Sequence, residues 1–254
     1  MIELLGPDEL RRAQASGRFV GGVLRELRDR VAPGTNLLEI DAWAARLVAD
    51  AGAVSSYVDY APSFGRGPFG HVICTSVNDA VLHGLPHDYA LQEGDLLTLD
   101  FAAALEGVVT DAAISFVVGG RAAPEDERMI QATRDALTAG IGAAQAGARV
   151  GDISHAIGSA LAAAGYLVNT EFGGHGVGST MHQDPHIPNS GRPGRGYRLR
   201  PGLLLAIEPW VMAGTATLVT DADGWTLRSA NGGRTAHSEH TIAVTERGPV
   251  VLTA

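Results

Sequence analysis

Residues 95–101, Asp95-Leu96-Leu97-Thr98-Leu99-Asp100-Phe101, and residues 109–116, Val109-Thr110-Asp111-Ala112-Ala113-Ile114-Ser115-Phe116, predict a β-hairpin closed by the turn Leu105-Glu106-Gly107. Side chains alternate between the two faces of a strand, so one face of this hairpin is apolar and the other is polar. The polar face carries Thr98, Asp100, Asp111 and Ser115. The midpoint between positions 100 and 111 falls within the turn, so a tight turn is expected to place the two aspartates directly opposite each other.

Two facing aspartates have two interpretations. Like charges directly opposite each other destabilise a hairpin, so the pair needs compensation. Either the face is solvated and the register is slipped by one residue, or a divalent metal binds there, since carboxylates are hard oxygen ligands. The hairpin alone leaves both interpretations open.

Three further polar residues occupy apolar or glycine-rich surroundings. His175 lies among glycines, Glu208 ends an apolar strand, and Glu239 opens another. Singly, each is typical of a strand end in water, because a buried charge is costly unless it is paired or bound to a metal. Together with Asp100 and Asp111 they supply four carboxylates and one imidazole. Two divalent cations would neutralise the four charges, and bridged metal pairs of this kind hydrolyse amides and esters.

The chain surrounding these residues reads as two similar halves. Helices are predicted from Pro7 onward and over residues 39–51, 124–144 and 151–164. The positions Gly34, Ile40 and Gly52 recur as Gly147, Ile153 and Gly165 at one offset of 113 residues. This spacing indicates an internal pseudo-repeat. With only two copies, chance similarity is the alternative explanation.

Strands are predicted over residues 72–77, 95–102, 108–118, 166–171, 203–208, 217–219 and 237–245, and residues 184–202 read as a loop. Helices and strands come in blocks, which favours an α+β fold over a doubly wound sheet. No stretch resembles an interdomain linker. Residues 1–254 are therefore expected to form a single catalytic domain.

The composition excludes several classes of protein. The 254 residues are 45% hydrophobic and 19% charged, which is ordinary for a globular chain and unlike disordered, coiled-coil or collagen sequences. The formal net charge of −9 argues against nucleic acid as a partner. The single cysteine, Cys74, excludes an intrachain disulfide. The first seven residues lack a basic flank and a long apolar run, so a cytoplasmic location without a membrane span is expected.

Other catalytic patterns are missing or weak. The sequence contains no G-x-S-x-G elbow and no H-E-x-x-H pair. Cys74 lies in an apolar strand context that favours packing over a nucleophilic role. Six histidines lack a comparable setting and are expected to be surface or structural residues: His71, His87, His155, His186, His237 and His240.

Five motifs resemble those of the type I methionine aminopeptidases. They are Ser76-Val77-Asn78-Asp79-Ala80-Val81-Leu82-His83-Gly84-Leu85-Pro86, the Asp100/Asp111 pair, Gly174-His175-Gly176-Val177-Gly178, Ile207-Glu208-Pro209 and Ser238-Glu239-His240-Thr241. They follow the family's order, and the similarity runs from about residue 7 to the end of the chain. The resemblance implies the pita-bread fold, an α+β domain whose two pseudo-symmetric halves each pack helices on an antiparallel sheet.

The resemblance also implies site residues and a reaction, metal-dependent hydrolysis of the first peptide bond to remove N-terminal methionine from peptides and nascent proteins. It assigns two divalent ions (Mn, Co, Fe or Zn) to Asp100, Asp111, His175, Glu208 and Glu239, with Asp111 and Glu239 bridging. His83 would contact the scissile amide and His182 would steady the substrate carbonyl. Glu208 would also carry a proton to the leaving amine. The expected enzyme is a monomer.

The implied methionine pocket is lined by Tyr57, Tyr60, Phe69, Cys74 and Trp225, and here the chain departs from the family pattern. The segment 61–68 is a few residues longer than the commonest bacterial form. Met181 replaces the usual aromatic residue before His182, and Gln183 replaces an acidic residue after it. These changes leave the predicted metal ligands in place.

Two alternatives remain, an enzyme of the same superfamily and a protein of another functional class. One is an enzyme of the Xaa-Pro aminopeptidase or prolidase type, which usually carries an additional N-terminal domain. The other is a non-catalytic binding scaffold of the same fold, which would have lost metal ligands. All five predicted ligands are present in this sequence.

Overall fold

The computed structural model describes residues 2–62 and 66–254. The helices in this part of the chain are α1 (Pro7–Arg30), α2 (Leu37–Asp50), α3 (Pro124–Ala143) and α4 (Val150–Ala163). The strands are β1 (Val54–Ser55), β2 (Cys74–Val77), β3 (Ala80–Leu82), β4 (Leu96–Leu105), β5 (Val108–Val117), β6 (Gly173–Val177), β7 (Gln183–Pro188), β8 (Leu204–Ile207), β9 (Trp210–Met212), β10 (Leu218–Thr220), β11 (Leu227–Ser229), β12 (Thr235–His237), β13 (Glu239–Thr245) and β14 (Gly248–Val251).

One large antiparallel sheet organises the molecule. Its strands follow the order β1-β4-β5-β13-β8-β6-β7, with β2 added beside β4 and β14 beside β13. Two small sheets, β10-β11-β3 and β12-β9, complete the strand pairing. The helices α1 and α2 share an apolar core with the β4/β5 part of the large sheet, and α3 and α4 share another with the β8/β13 part. The predicted α+β architecture of two halves is confirmed.

The internal repeat is visible in the second helix of each half. The helices α2 and α4 both contain 14 residues and begin 113 positions apart. In each, an acidic residue at the third helical position accepts a hydrogen bond from the cap residue: the Asn36 N–H donates to Glu39 Oε2 (2.9 Å) and the Arg149 N–H to Asp152 Oδ2 (2.7 Å). This acidic half of a capping box starts both helices at the same point of the repeat.

The register of the central hairpin differs from the prediction. Leu105 pairs with Val108, so the loop contains only Glu106 and Gly107, with φ of 52° and 77°. Two positive φ angles are typical of the tight turns whose twist matches that of the strands. The two-residue loop shifts the pairing, so Asp100 faces Ala113 and Asp111 faces Ala102. The aspartates share a face as predicted, but they are diagonal neighbours rather than directly opposed.

Two strand predictions and one loop prediction were wrong. The segment 166–171 forms no strand, the run 237–245 is divided at Ser238 into the ends of β12 and β13, and β7 occupies part of the predicted 184–202 loop. The glycine-rich β6 was not predicted, because glycine is depleted in strands. A Cβ atom at Gly174 would lie 2.3 Å from the Ala206 carbonyl oxygen, so close approach of the neighbouring strand requires glycine there.

Among the described residues, no helix combines the length and apolarity needed to cross a bilayer.

Candidate metal centre and active site

Five adjacent strands of the large sheet each supply one polar side chain to a common point. Across the order β4-β5-β13-β8-β6 these residues are Asp100, Asp111, Glu239, Glu208 (immediately after β8) and His175. All five therefore converge from positions separated by up to 139 residues in sequence, between Asp100 and Glu239. The structure brings together the full set of residues that the sequence motifs selected.

The two aspartates of the hairpin are linked by a buried tyrosine. The Tyr57 hydroxyl lies 2.5 Å from Asp100 Oδ1 and 3.2 Å from Asp111 Oδ1. Burial raises the pKa of Asp100 to about 6. Burial and the nearby Asp100 charge raise the pKa of Asp111 well above its usual range. Without a cation, this pair therefore favours binding protons.

The two glutamates and His175 complete the cluster. Burial, and then the surrounding carboxylates, raise the pKa values of Glu208 and Glu239 well above their usual range. His175 Nε2 lies 4.0 Å from Asp111 Oδ2 and 3.9 Å from Glu208 Oε1. Burial, and then the neighbouring His182, lower the pKa of His175 to about 3, which leaves a neutral imidazole able to act as a ligand.

The donor set fits divalent metal ions. Donor atoms of Asp111, His175 and Glu239 lie within 4.8 Å of one another, and so do those of Asp100, His237 and Glu239. In the described part of the chain, no arginine or lysine forms an ion pair with the four buried carboxylates. Four clustered carboxylates without a cation are costly to bury, and oxygen ligands with one imidazole suit divalent ions.

A hydroxyl on the neighbouring strand fixes the backbone of Asp111. The Asp111 N–H donates to Thr241 Oγ1, and that hydroxyl donates to the Asp111 carbonyl oxygen, both at 2.8 Å. Thr241 is fully buried on β13, two residues after Glu239. It therefore ties two ligand-bearing strands together at the site. The motif Ser238-Glu239-His240-Thr241 contained this residue, but sequence reasoning gave it no role.

Two histidines line the approach to the cluster. His83 follows β3 with φ of 55°, a left-handed conformation that functional sites often retain. The His182 ring lies 4.4 Å from that of His175 and 5.2 Å from that of Tyr60, between ring centroids. Desolvation lowers the pKa of His83 to about 4, and desolvation with the adjacent His83 lowers that of His182 to about 4. Both are therefore neutral near pH 7.

Two cavities that share lining residues lie beside these side chains. An outer cavity of about 440 Å³ is lined by His83, His182, Gln183, Glu208 and other residues at its mouth. An inner cavity of about 50 Å³ reaches the carboxylates and is walled by Tyr57, Tyr60, Phe69, Cys74, Met181 and Trp225. The outer space is open and mixed in polarity, whereas the inner one ends among aromatic side chains. The arrangement accepts one apolar side chain beside the carboxylates.

The aromatic wall of the inner cavity is held by ring contacts. Phe69 packs edge-on against Trp225 and Tyr57, with centroid distances of 5.2 and 5.7 Å. Burial, and then Asp100, raise the pKa of the Cys74 thiol well above its usual range. Cys74 is therefore a neutral wall residue, as its strand context indicated. Of the predicted longer segment 61–68, residues 63–65 lie outside the described residues.

Comparison with known proteins identifies the family. The model of metallopeptidase family M24 matches residues 11–246. A curated relative, methionine aminopeptidase 1 of Mycobacterium tuberculosis, is 42% identical over 252 residues, covering 96% of this chain and 92% of its own length. The chain belongs to metallopeptidase family M24, which confirms the family resemblance of the five motifs.

Solved structures agree at the level of the fold. The crystal structure of methionine aminopeptidase from Thermotoga maritima superposes with a TM-score of 0.94 at 35% identity, covering 100% of this chain and 99% of that one. An Xaa-Pro dipeptidase from Bacillus anthracis has a TM-score of 0.78 at 20% identity, covering 98% of this chain but 61% of its own. The second likeness shows only that the pita-bread fold is shared.

One histidine lies where the sequence did not place it. His237 was grouped with surface or structural histidines, but its side chain is 1% exposed. Its Nε2 atom lies 3.8 Å from Glu208 Oε2 and 3.9 Å from Glu239 Oε2. Burial, and then the charge of His83, lower the pKa of His237 to about 3. Strand alternation offered the missing signal, because His237 and Glu239 are two residues apart and point to the same side.

Proposed function

We propose that this protein removes N-terminal methionine from peptides and nascent proteins by hydrolysing the first peptide bond. The observation that carries the proposal is the set of four carboxylates and His175, which lies beside a narrow aromatic cavity. The curated relatives at 36–42% identity, which the chain covers almost completely, bear the name methionine aminopeptidase. That shared name supports the same reaction here.

The metal centre of the proposed enzyme contains two divalent ions. Asp100, Asp111, His175, Glu208 and Glu239 would hold them. Four carboxylate charges balance two divalent cations, which supports that number over one. When bound, the ions supply an activated water and stabilise the negative charge that develops on the carbonyl oxygen. Mn, Co, Fe and Zn all suit this donor set.

The chain's own residues position the substrate and move its proton. Glu208 lines both cavities, so its carboxylate faces the reacting bond and carries a proton to the leaving amine. His182, neutral near pH 7, donates a hydrogen bond to the carbonyl oxygen as negative charge develops there. His83, which also lines both cavities, contacts the scissile amide.

The inner cavity accounts for two features of the proposed reaction: its preference for methionine and its restriction to the N-terminus of the substrate. A methionine side chain is unbranched and its sulfur packs well against aromatic rings, which suits the wall formed by Phe69, Trp225 and their neighbours. With that side chain seated, the free α-amine reaches the carboxylates around Asp100. The inner cavity has no space for a preceding residue, which favours aminopeptidase over endopeptidase action.

The remaining expectations follow from this substrate. Residues 1–254 would act as one catalytic domain, as a monomer in the cytoplasm, where nascent chains are released. Neither nucleic acid nor a membrane is required as a partner. The net charge of −9 supports the first of these points, because phosphate backbones are bound by basic surfaces.

A cleavage panel tests the proposal. Metal-stripped protein receives Mn²⁺ or Co²⁺ and is given Met-Ala-Ser, Leu-Ala-Ser and Ala-Pro-Ser, with products followed by mass spectrometry. Metal-dependent release of methionine alone is the expected result. Release of alanine from Ala-Pro-Ser would assign the protein to the Xaa-Pro type instead. No cleavage with either metal would contradict an enzymatic role and favour a binding scaffold.

A further inference from the structure

The imidazole of His237 is buried without satisfying either of its nitrogens. Its side chain is 1% exposed, and within the described residues neither Nδ1 nor Nε2 has a hydrogen-bond partner. Leaving a buried polar group unpaired costs free energy, so native proteins rarely do so without a reason. The groups that the His237 ring faces supply a reason for leaving its nitrogens unpaired.

The backbone of His237 is fixed by the polar face of the central hairpin. Ser115 Oγ accepts a hydrogen bond from the His237 N–H (2.9 Å) and donates one to its carbonyl oxygen (2.8 Å). Thr98 Oγ1 lies 2.7 Å from Ser115 Oγ and supplies the remaining hydrogen bond. Thr98 and Ser115 share their face with Asp100 and Asp111. The hairpin that carries two ligands thus also determines where the His237 ring lies.

The ring faces the two glutamates of the metal centre. His237 Nε2 lies 3.8 Å from Glu208 Oε2 and 3.9 Å from Glu239 Oε2, while Glu208 Oε1 faces His175 on its other side. The Glu208 carboxylate therefore lies between two imidazoles. An approach of about 1 Å would bring Nε2 within hydrogen-bond distance of either glutamate. His237 lines neither cavity, so within the described residues it does not meet the substrate.

We propose that His237 is a positioning residue of the metal centre, whose Nε2–H is donated to the carboxylate of Glu208. A neutral imidazole has one N–H to donate, and a carboxylate that ligates through one oxygen keeps the other free to accept it. Such partners orient metal ligands and raise metal affinity. The inference rests on the proposed function of the same site, but it concerns metal binding and can be measured without a peptide.

Four variants of the full chain test the inference. His237→Leu removes the donor, His237→Asn keeps an amide that is too short to reach, and His237→Gln places an amide N–H near the position of Nε2. His240→Gln is the matched control, because His240 lies only three residues further on, in β13, but pairs with Thr253 Oγ1 at 2.8 Å. Mn²⁺ affinity is measured by calorimetry, bound metal by elemental analysis, and kcat and KM with Met-Ala-Ser.

We expect His237→Leu and His237→Asn to lose about 10–100-fold in Mn²⁺ affinity, the range for outer partners of metal ligands. His237→Gln should retain most of the affinity, and His240→Gln all of it. In the Leu and Asn variants kcat should fall while KM stays near that of the parent, because the substrate cavity is unchanged. The Asn variant keeps the test decisive if the Leu variant does not fold.

Two results would overturn the inference. Parent-like Mn²⁺ affinity in both His237→Leu and His237→Asn would leave His237 with a packing role only. A glutamine variant as weak as the leucine variant, with a changed absorption spectrum of the Co²⁺-loaded protein, would make the imidazole itself a ligand. If the parent protein cleaved no methionine peptide but the affinity order Gln above Leu held, the proposed function would fail and the positioning role would stand.

Discussion

At the scale of single residues, Asp111 illustrates how the chain pre-arranges a ligand. Its carboxylate accepts a hydrogen bond from Tyr57, and its backbone is clamped on both sides by the Thr241 hydroxyl. The side chain is almost fully buried beside Asp100, so its charge is unfavourable until a cation is present. The local structure holds the carboxylate in place at a cost in stability, which is typical of functional sites.

Asp111→Asn tests this arrangement. The amide preserves the shape but removes one carboxylate charge from the proposed metal centre, so methionine release should fall by more than about 100-fold, since even partners of metal ligands are worth 10–100-fold. The metal-free variant should melt at the parent temperature or above it, because a buried carboxylate has been replaced. Activity is followed with Met-Ala-Ser and stability by circular dichroism. Asp50→Asn, at the exposed end of α2, is the control, and parent-like activity in Asp111→Asn would exclude Asp111 from the centre.

At the scale of elements, the sequence predicted the helices and the hairpin faces better than the sheet around them. Periodicity and capping residues place a helix locally, so α2 and α4 were found to within about two residues. Strand pairing depends on partners far along the chain. The predicted hairpin pairing was wrong by two residues, because it centred the loop one residue too early, whereas Glu106 and Gly107 alone form the loop.

The candidate site likewise contains residues that local motifs identify and residues whose contribution depends on strand pairing. The five predicted ligands could be named from motifs, since each is a charged or metal-binding residue in unusual surroundings. The contributions of His237 and Thr241 depend on which strands lie side by side. The strand β6 was missed because its glycines are needed for close approach to the backbones of β7 and β8. These are tertiary requirements that a local pattern does not contain.

The strand β6 offers an element-scale prediction. A Cβ at Gly174 would lie 2.3 Å from the Ala206 carbonyl oxygen, so Gly174→Ala must push β6 away from β8 and displace His175. We expect a loss of roughly 1–3 kcal/mol in the free energy of unfolding and weaker metal binding. Urea denaturation and calorimetry measure the two effects.

The control for that substitution is Gly142→Ala. Gly142 is exposed on α3, and a Cβ there meets nothing within 4 Å. Alanine should stabilise the helix by up to about 1 kcal/mol. Equal stability of Gly174→Ala and the parent would show that β6 can move without loss.

At the scale of the whole molecule, eight titratable groups at and around the carboxylate cluster set the pH dependence of the metal-free protein. The pKa values of His83, His175, His182 and His237 are lowered to between about 3 and 4. Between pH 4 and 6.5 the unfolded chain therefore binds more protons at these histidines than the folded chain does. The histidines thus make the folded, metal-free protein more stable as the pH rises. The four carboxylates have raised pKa values, so in the same range the folded chain binds more protons and their effect is that stability falls with pH.

Above about pH 6.5 the two effects no longer offset each other. The histidines become neutral in both states there, so only the raised pKa values of the carboxylates still act, and the melting temperature of metal-free protein should fall as the pH rises from 6.5 to 8. Bound Mn²⁺ requires deprotonated ligands, so the stabilisation by metal should grow over the same range. Differential scanning calorimetry with and without Mn²⁺ measures both trends.

Asp111→Asn removes one of these carboxylates and should make the fall of the metal-free melting temperature with pH shallower. A flat or rising melting temperature for the metal-free parent protein over this range would mean that the carboxylates are already compensated without a metal ion.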